Sequence, residues 1–185
     1  MSAMESNTAD AFLGAGCFWC LEAVYREMRG IDSAESGYMG GQDTQPTYES
    51  VCAGSTGHAQ VVRLTYDPAV TTYRDILEVF FTIHDPTTLD RQGNDVGSQY
   101  RSVIFFTSAE QEATARQVMA EMAAVWDGPI VTALLPRAPW YKAGDDQQDY
   151  FAQHPLACYC AFVVDPKVMK FRAIFASKAK QGSGQ

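Results

Sequence analysis

Between Phe18 and Met28 (FWCLEAVYREM) apolar residues recur at helical spacing, and Gly30 supplies a stop. The pattern predicts a helix near the N-terminus. A short buried strand at Ala11-Phe12-Leu13 and a small-residue turn from Gly14 to Gly16 precede it. Ile31 to Gly41 reads as a strand ending in Gly40-Gly41. Gln60 to Tyr66 (QVVRLTY) is β-branched and partly alternating, a second strand that Asp67-Pro68 ends. Thr72 to His84 is an amphipathic helix with Thr72 and Asp75 at capping-box spacing. Ser102 to Phe106 is a strand, and Ser108 opens a helix to Trp126, with Ser108 and Gln111 at the same spacing. Short strands are expected at Ile130 to Leu135 and Phe162 to Val164, and Pro166 opens a last helix to about Ala176. Strands and helices alternate irregularly, which predicts an α+β two-layer sandwich rather than a doubly wound sheet. The stretch Asp85 to Gln99 fits no period, and loops of that length in compact domains are usually functional. It contains Gly93-Asn94-Asp95 and is followed by Tyr100-Arg101.

Composition narrows the class. The chain has 185 residues, 46% of them apolar, enough for one domain with a full core. That domain is placed at 11–176, between polar tails at 1–10 and 177–185. The net charge of −8 repels phosphate backbones and anionic lipid, so nucleic acid and membrane surfaces are not expected partners. No run approaches the roughly 20 apolar residues of a membrane span. The opening MSAMESNTAD lacks the basic and apolar regions of a secretory signal, so a cytoplasmic location is expected.

Five cysteines (Cys17, Cys20, Cys52, Cys158 and Cys160) carry the candidate chemistry. The count is odd and the chain is large for a disulfide-stapled domain, so reactive, metal-binding or buried roles are expected. In Gly14-Ala15-Gly16-Cys17-Phe18-Trp19-Cys20 three readings compete. Cys17 and Cys20 could form a thioredoxin-like dithiol at a helix start. They could join Cys158 and Cys160 in a zinc tetrahedron, although the one-residue spacing of the second pair is short for that metal and Phe18-Trp19 suits a knuckle turn poorly. Or Cys17 is a single nucleophile, favoured as thiolate by the helix N-terminus. Phe18 and Trp19 would then form an apolar wall beside it, with Cys20 a small buried residue one turn deeper. Cys52 is read, like Cys20, as a buried residue.

Longer motifs decide among these. GAGCFWCLEAVY resembles the signature of the peptide methionine sulfoxide reductase A family. GYMGG (Gly37–Gly41), PTYESVCAGSTGHAQVV (Pro46–Val62), HDPTTLDRQGNDVGSQYRS (His84–Ser102) and YCAFVVDPKVMKFR (Tyr159–Arg172) are similar to further blocks of that family, in the same order. The resemblance covers about Ala11 to Ala176. It implies a rolled mixed sheet with flanking helices. It also implies thiol-dependent reduction of methionine S-sulfoxide, free or in a protein, with thioredoxin as reductant and no metal or organic cofactor. Carried over residue by residue, the nucleophile falls on Cys17 and the methyl-binding aromatics on Phe18 and Trp19. The phenols that hold the sulfoxide oxygen fall on Tyr48 and Tyr100, the supporting carboxylate on Asp95, and the resolving thiol on Cys160. A monomeric, cytosolic repair enzyme is expected.

Such chemistry is reasonable for these residue types. A thiol attacks a sulfoxide sulfur only when the oxygen is polarised, and fixed hydroxyls supply that. The product is a sulfenic acid, which a second thiol condenses to a disulfide for an external dithiol to reduce. One position departs from the family pattern, in which the second block reads Gly-His-Ala-Glu and its Glu serves as general acid. Here the block reads Gly57-His58-Ala59-Gln60. Glutamine donates a hydrogen bond but no proton, so binding is expected to persist and turnover to fall. Cys158, two residues before Cys160, is a second thiol on the same segment. His58, His84 and His154 lack metal spacing and are read as structural, with His58 beside the site.

Overall fold

Period-two alternation in the first strand explains why the sheet has a core on each side. In β1 (Ala9–Gly14) Ala11 and Leu13 enter one cluster of buried side chains and Phe12 enters another. The computed structural model describes residues 7–181. After β1 come α1 (Phe18–Arg26), β2 (Ile31–Met39), α2 (Tyr48–Cys52), β3 (Ala59–Tyr66) and α3 (Tyr73–Ile83). A small hairpin follows, β4 (Arg91–Gln92) and β5 (Asp95–Val96), then β6 (Val103–Phe106) and α4 (Ala109–Ala123). The chain ends through β7 (Ala133–Pro136), β8 (Tyr141–Lys142), α5 (Tyr150–Gln153), a wide π-helical turn at Cys160–Val164, and α6 (Asp165–Ile174).

The main sheet has six strands in the order β7-β6-β1-β3-β2-β8. It is antiparallel except where β6 and β7 run parallel, so it is a mixed sheet, and it stays open. Apolar faces of α1, α3, α4 and α6 cover one side, with Val24, Phe80, Val118 and Phe171 among the buried contacts to Leu13, Leu64 and Ile104. The other side is covered thinly. Phe12, Val61 and Phe105 pack beneath Trp140, and the Arg137 guanidinium lies 4.7 Å from the Phe12 ring centre. The α+β two-layer expectation therefore holds.

Local signals set most boundaries. Thr72 and Asp75 form the reciprocal capping box, at 3.0 and 3.1 Å. At Ser108 only half of that box forms. The hydroxyl accepts from the Gln111 N–H, but the Gln111 amide turns to the Thr107 N–H and the Asp10 carbonyl instead.

Several expectations shift. The strand expected at Ile130 to Leu135 is displaced to Ala133–Pro136. The segment Phe162 to Val164 is helical, not a strand, because it continues directly into α6. Pro166 lacks an N–H and its ring crowds the carbonyl four residues back, so the turn before it widens. The Asp85–Gln99 stretch holds the β4–β5 hairpin. There the Gln92 amide pairs with both the N–H and the carbonyl of Asp85, in place of a backbone partner. The parts of the expected tails at 1–6 and 182–185 lie outside the described residues. Packing reaches past the expected limits at both ends. Asp10 pairs with Thr65 in the sheet, and Lys178 donates to Asp75 at 2.9 Å.

One buried carboxylate ties three segments together. Glu22 on α1 is 1% exposed and accepts from Arg26, from the Ser36 hydroxyl at 2.6 Å, and from the Asp149 N–H at 2.6 Å. Removing it leaves a buried hydroxyl and a backbone donor without an acceptor. Glu22→Ala is expected to cost about 2–4 kcal/mol in urea denaturation. Thr72→Ala, which removes an exposed cap, should cost about 1 kcal/mol. A Glu22→Ala loss no larger than the Thr72→Ala loss would contradict this ranking.

Candidate active site

The turn after β1 delivers a sulfur to the start of a helix. Gly16 has φ +81°, and a Cβ there would meet the Gln92 side chain at 2.8 Å, so glycine lets the β4–β5 hairpin close over this turn. Cys17 is the N-cap of α1, with extended backbone and no side-chain capping bond. It is 6% exposed. Burial drives its thiol well above the ordinary range, and neighbouring Cys20 adds to that. The Trp19 N–H and the Tyr159 hydroxyl pull the other way but do less. The helix N-terminus was expected to favour the thiolate, and burial overrides it, so the resting sulfur is a neutral thiol. Cys20 is likewise pushed up to about 11 by burial, against the pull of the Lys167 ammonium and Tyr159.

Aromatic rings wall this sulfur. The Tyr48 ring lies over both Phe18 and Trp19, with centroids at 6.2 and 5.9 Å and nearly parallel planes. Tyr150 stacks on the indole at 3.7 Å, Tyr159 meets it edge-on at 5.6 Å, and Gln147 accepts from the indole N–H at 3.1 Å. The Glu22–Asp149 contact sets the start of the helix that carries Tyr150.

On the other side stands a polar cluster. Tyr48 and Cys52 lie one turn apart on the short helix α2, which a Thr47–Ser50 capping box opens. Tyr100 ends a 3₁₀ turn after the hairpin. Gln60 projects from β3 and is 1% exposed. Its amide is held at both ends: Oε1 accepts from the Phe18 N–H at 3.1 Å and Nε2 donates to Cys52 Sγ at 3.8 Å. The charge that Cys52 would carry as a thiolate acts on both phenols. Burial raises the pKa of both phenols, and the nearby thiols raise it further, so they stay protonated donors. Cys52 was expected to be buried; it is half-buried, beside the Gln60 amide.

Asp95, on the hairpin, accepts from the Tyr159 hydroxyl at 2.6 Å. A cavity of about 430 Å³ lies there, lined by Cys17, Cys20, Asp95, Tyr159, Phe162 and Lys167. A slightly larger cavity, about 480 Å³, opens between the starts of α3 and α4, but no cysteine lines it. Cys160 does not line the thiol cavity. It is fully buried in the core-facing row with Val164, Val168 and Phe171, and the thiol it influences is Cys20. Cys158 is exposed. His58 is structural, accepting from the Gly41 N–H and bonding the Asp43 carbonyl. Among the described residues no three His, Cys, Asp or Glu side chains group as a metal ion requires.

Cys17, Phe18, Trp19, Tyr48, Gln60 and Tyr100 thus converge, Asp95 joins through Tyr159, and Cys160 stands behind Cys20. Tyr150, Tyr159, Gln147 and Lys167 escaped the sequence reading. Tyr159 is named there only as the neighbour of Cys160, Lys167 lies within the expected last helix with no sign of what it faces, and Gln147 and Tyr150 sit in a segment without a period.

With reduced thiols, fixed phenols and an apolar wall together, the site defines a thiol-dependent oxidoreductase. Comparison with known proteins makes that specific. The profile of the family described as peptide methionine sulfoxide reductase matches residues 9–179. The peptide methionine sulfoxide reductase MsrA of Ralstonia nicotianae is 52% identical over 174 residues, 91% of each chain. Reduced Mxr1 of Saccharomyces cerevisiae superposes with a TM-score of 0.80 at 32% identity, covering 86% of this chain and 92% of that one. A structure of Mxr1 in complex with Trx2 superposes at 0.57, with 26% identity over 81% and 89% of the two chains. The chain belongs to the peptide methionine sulfoxide reductase family, a family of oxidoreductases.

Thiol labelling tests the burial. Iodoacetamide at neutral pH should modify exposed Cys158 first. Cys17 and Cys20 should react slowly, accelerating as pH rises toward about 11, where the Cys20 thiol ionises. Cys17 labelled at pH 7 as fast as Cys158 would contradict a neutral resting thiol.

Proposed function

We propose that this chain reduces methionine S-sulfoxide, free or in proteins, through a sulfenic acid on Cys17 and then a Cys17–Cys160 disulfide that thioredoxin reduces. The supporting observation is the Gln60 side chain. It joins the backbone beside Cys17 to the Tyr48, Tyr100 and Cys52 cluster, so the nucleophile and the hydroxyl donors are held in one frame.

In this reading the substrate methyl rests against Phe18 and Trp19, and its oxygen accepts from Tyr48 and Tyr100. Asp95 supports the site through the Tyr159 hydroxyl, which it holds against the Trp19 edge. Oxygen passes from the substrate sulfur to Cys17. The substrate sulfur gains two electrons and the thiol sulfur loses two. Cys17 starts as a neutral thiol, so the proton that the new S–OH carries comes with it. Gln60 keeps the neutral hydrogen-bonding frame of a protonated glutamate without its acidity.

Resolution needs movement, because Cys160 faces the core and the cavity wall beside it is Tyr159. The wide turn that begins at Cys160 is the weak point of this helical segment and the place where it would unwind. The Mxr1–Trx2 structure supports thioredoxin as the reductant. Among the described residues no helix is long and apolar enough to cross a membrane. All five thiols are free, which suits a reducing compartment, and we place the enzyme in the cytoplasm as a monomer with one catalytic domain spanning 11–176.

A single turnover tests the reading. Fully reduced protein mixed with methionine S-sulfoxide, without reductant, should yield about one methionine per chain and a Cys17–Cys160 disulfide by peptide mapping. Cys160→Ser should still yield the methionine but leave Cys17 as sulfenic acid. No methionine would remove the enzyme assignment, and an efficient disulfide in Cys160→Ser would remove the resolver assignment.

A further inference from the structure

The two phenols come from separate elements, and one short turn holds them in register. Tyr48 opens α2, and Tyr100 ends the 3₁₀ turn Ser98–Tyr100. The backbone of that turn is tied to the nucleophile: the Tyr100 carbonyl accepts from the Gly16 N–H at 3.2 Å, one residue before Cys17. The side chains on either side of Tyr100 make further ties. Arg101 donates to the Ser98 carbonyl at 2.8 Å and to the Gly57 carbonyl at 3.1 Å, which joins the turn to the segment that enters β3. Gln99 reaches the other way. Its Nε2 donates to the Cys52 carbonyl at 3.1 Å, at the end of α2. A helix of five residues leaves its last carbonyls without helical partners, so this amide serves an acceptor that α2 cannot satisfy itself. The surroundings suit the contact. Gln99 is 6% exposed, and it folds back over Gly97, where φ is +143° and any Cβ would collide with the Gln99 amide.

We propose that Gln99 is a positioning residue of the reductase step, setting through the Cys52 carbonyl the spacing between the Tyr48 and Tyr100 hydroxyls. The proposal rests on the reductase reading above, in which both hydroxyls donate to one sulfoxide oxygen. Two donors serve a single oxygen only if their separation suits it, and a misplacement of about 1 Å can cost about a hundredfold in rate. The other contacts of α2 do not set that separation. Val51 is fully buried and fixes how deep the helix lies, and Tyr48 stacks on Phe18 and Trp19. Apolar contact has little direction, so the helix can slide along the ring faces. The Gln99 hydrogen bond is directional and joins α2 to the turn that Gly16 already holds beside Cys17. Losing it should slow the chemical step and leave substrate binding in place. The loss should also require both phenols, because with one hydroxyl left the substrate oxygen can follow it.

The test is a double-mutant cycle on the single-turnover rate, over a series of methionine S-sulfoxide concentrations. Gln99→Met keeps the volume of the side chain and removes its donor. It should lower the saturating rate about tenfold, with the half-saturating concentration within about twofold. In the Tyr100→Phe background the same change should cost no more than about twofold. Gln111→Met is the control. Gln111 is also buried, and its Nε2 donates to the Asp10 carbonyl at 2.8 Å, beside the cavity that no cysteine lines. That variant should lower the urea midpoint as Gln99→Met does and keep the saturating rate within about twofold of the parent. Gln99→Glu keeps the shape but, when ionised, has no proton for the Cys52 carbonyl. It should be as slow as Gln99→Met at neutral pH and recover relative to the parent in acid, where the carboxyl regains its proton. If Gln99→Met does not fold, Gln99→Glu takes its place in the cycle. A parental rate in Gln99→Met or Gln99→Glu would overturn the proposal. So would equal losses in both backgrounds, or a loss that Gln111→Met matches, since either would show that weakened packing slows the step. A parent protein that forms no methionine is a different result, and it would overturn the reductase reading itself.

Discussion

Burying a sulfur atom at the first residue of a helix sets two forces against each other. The exposed N–H groups at the helix start attract negative charge, and the loss of water expels it. At Cys17 the second force wins, and much of the surrounding construction follows from that. A neutral thiol can sit against Phe18, Trp19 and their partner rings without an uncompensated charge. It also carries its own proton into the reaction. A site built this way needs hydroxyl donors for the leaving oxygen more than it needs a base for the nucleophile, and the phenols of Tyr48 and Tyr100 are held protonated by the same burial.

The fold positions these groups by short-range devices. Strand β1 lies between β3 and β6 and delivers Cys17 at its exit, and β3 brings Gln60 within 3.1 Å of the next backbone N–H. Glycine at Gly16 lets the hairpin that carries Asp95 approach closely. Glu22, two residues beyond Cys20 on the same helix, fixes Asp149, and through it Tyr150 on the indole. The helix that Cys17 opens thus also anchors the segment that leads to Cys160. The energetic balance differs along that segment. The α6 side is anchored by fully buried Val168 and Phe171, whereas Leu156 and Phe162 are 93% and 80% exposed. The part that would move in the proposed resolution by Cys160 is the part with less buried apolar surface.

Much of this was legible in the sequence. The strands β1, β2, β3 and β6 and the helices α1, α3, α4 and α6 follow periodicity and capping residues. The site residues from Cys17 to Tyr100 were carried by ordered motifs. The misses have physical causes. Three apolar residues at Phe162–Val164 looked like a strand, because so short a run has no period and the helix around it comes from tertiary packing. The setting of Cys52 could not be read either, because the Gln60 and Gln99 side chains that meet its residue come from separate elements. Tyr150, Tyr159 and Lys167 could not be read for the same reason. The balance between helix start and burial at Cys17 was misjudged because a motif shows the local dipole and not the depth of the site. The Gln60 departure was visible at once, but that its amide is held at both ends, by the Phe18 N–H and the Cys52 thiol, only the fold reveals.

The claim underlying the account is that the reacting thiol enters the reaction protonated. The direct measurement is the proton balance of one turnover. Reduced protein would be mixed at pH 7 with methionine S-sulfoxide in weak buffer containing a pH indicator, and proton uptake would be followed alongside methionine formed. Thiol and sulfoxide together give sulfenic acid and methionine without consuming a proton, so uptake per methionine should be close to zero. Uptake of about one proton per methionine would mean that Cys17 begins as a thiolate, and the role assigned to its burial would be wrong.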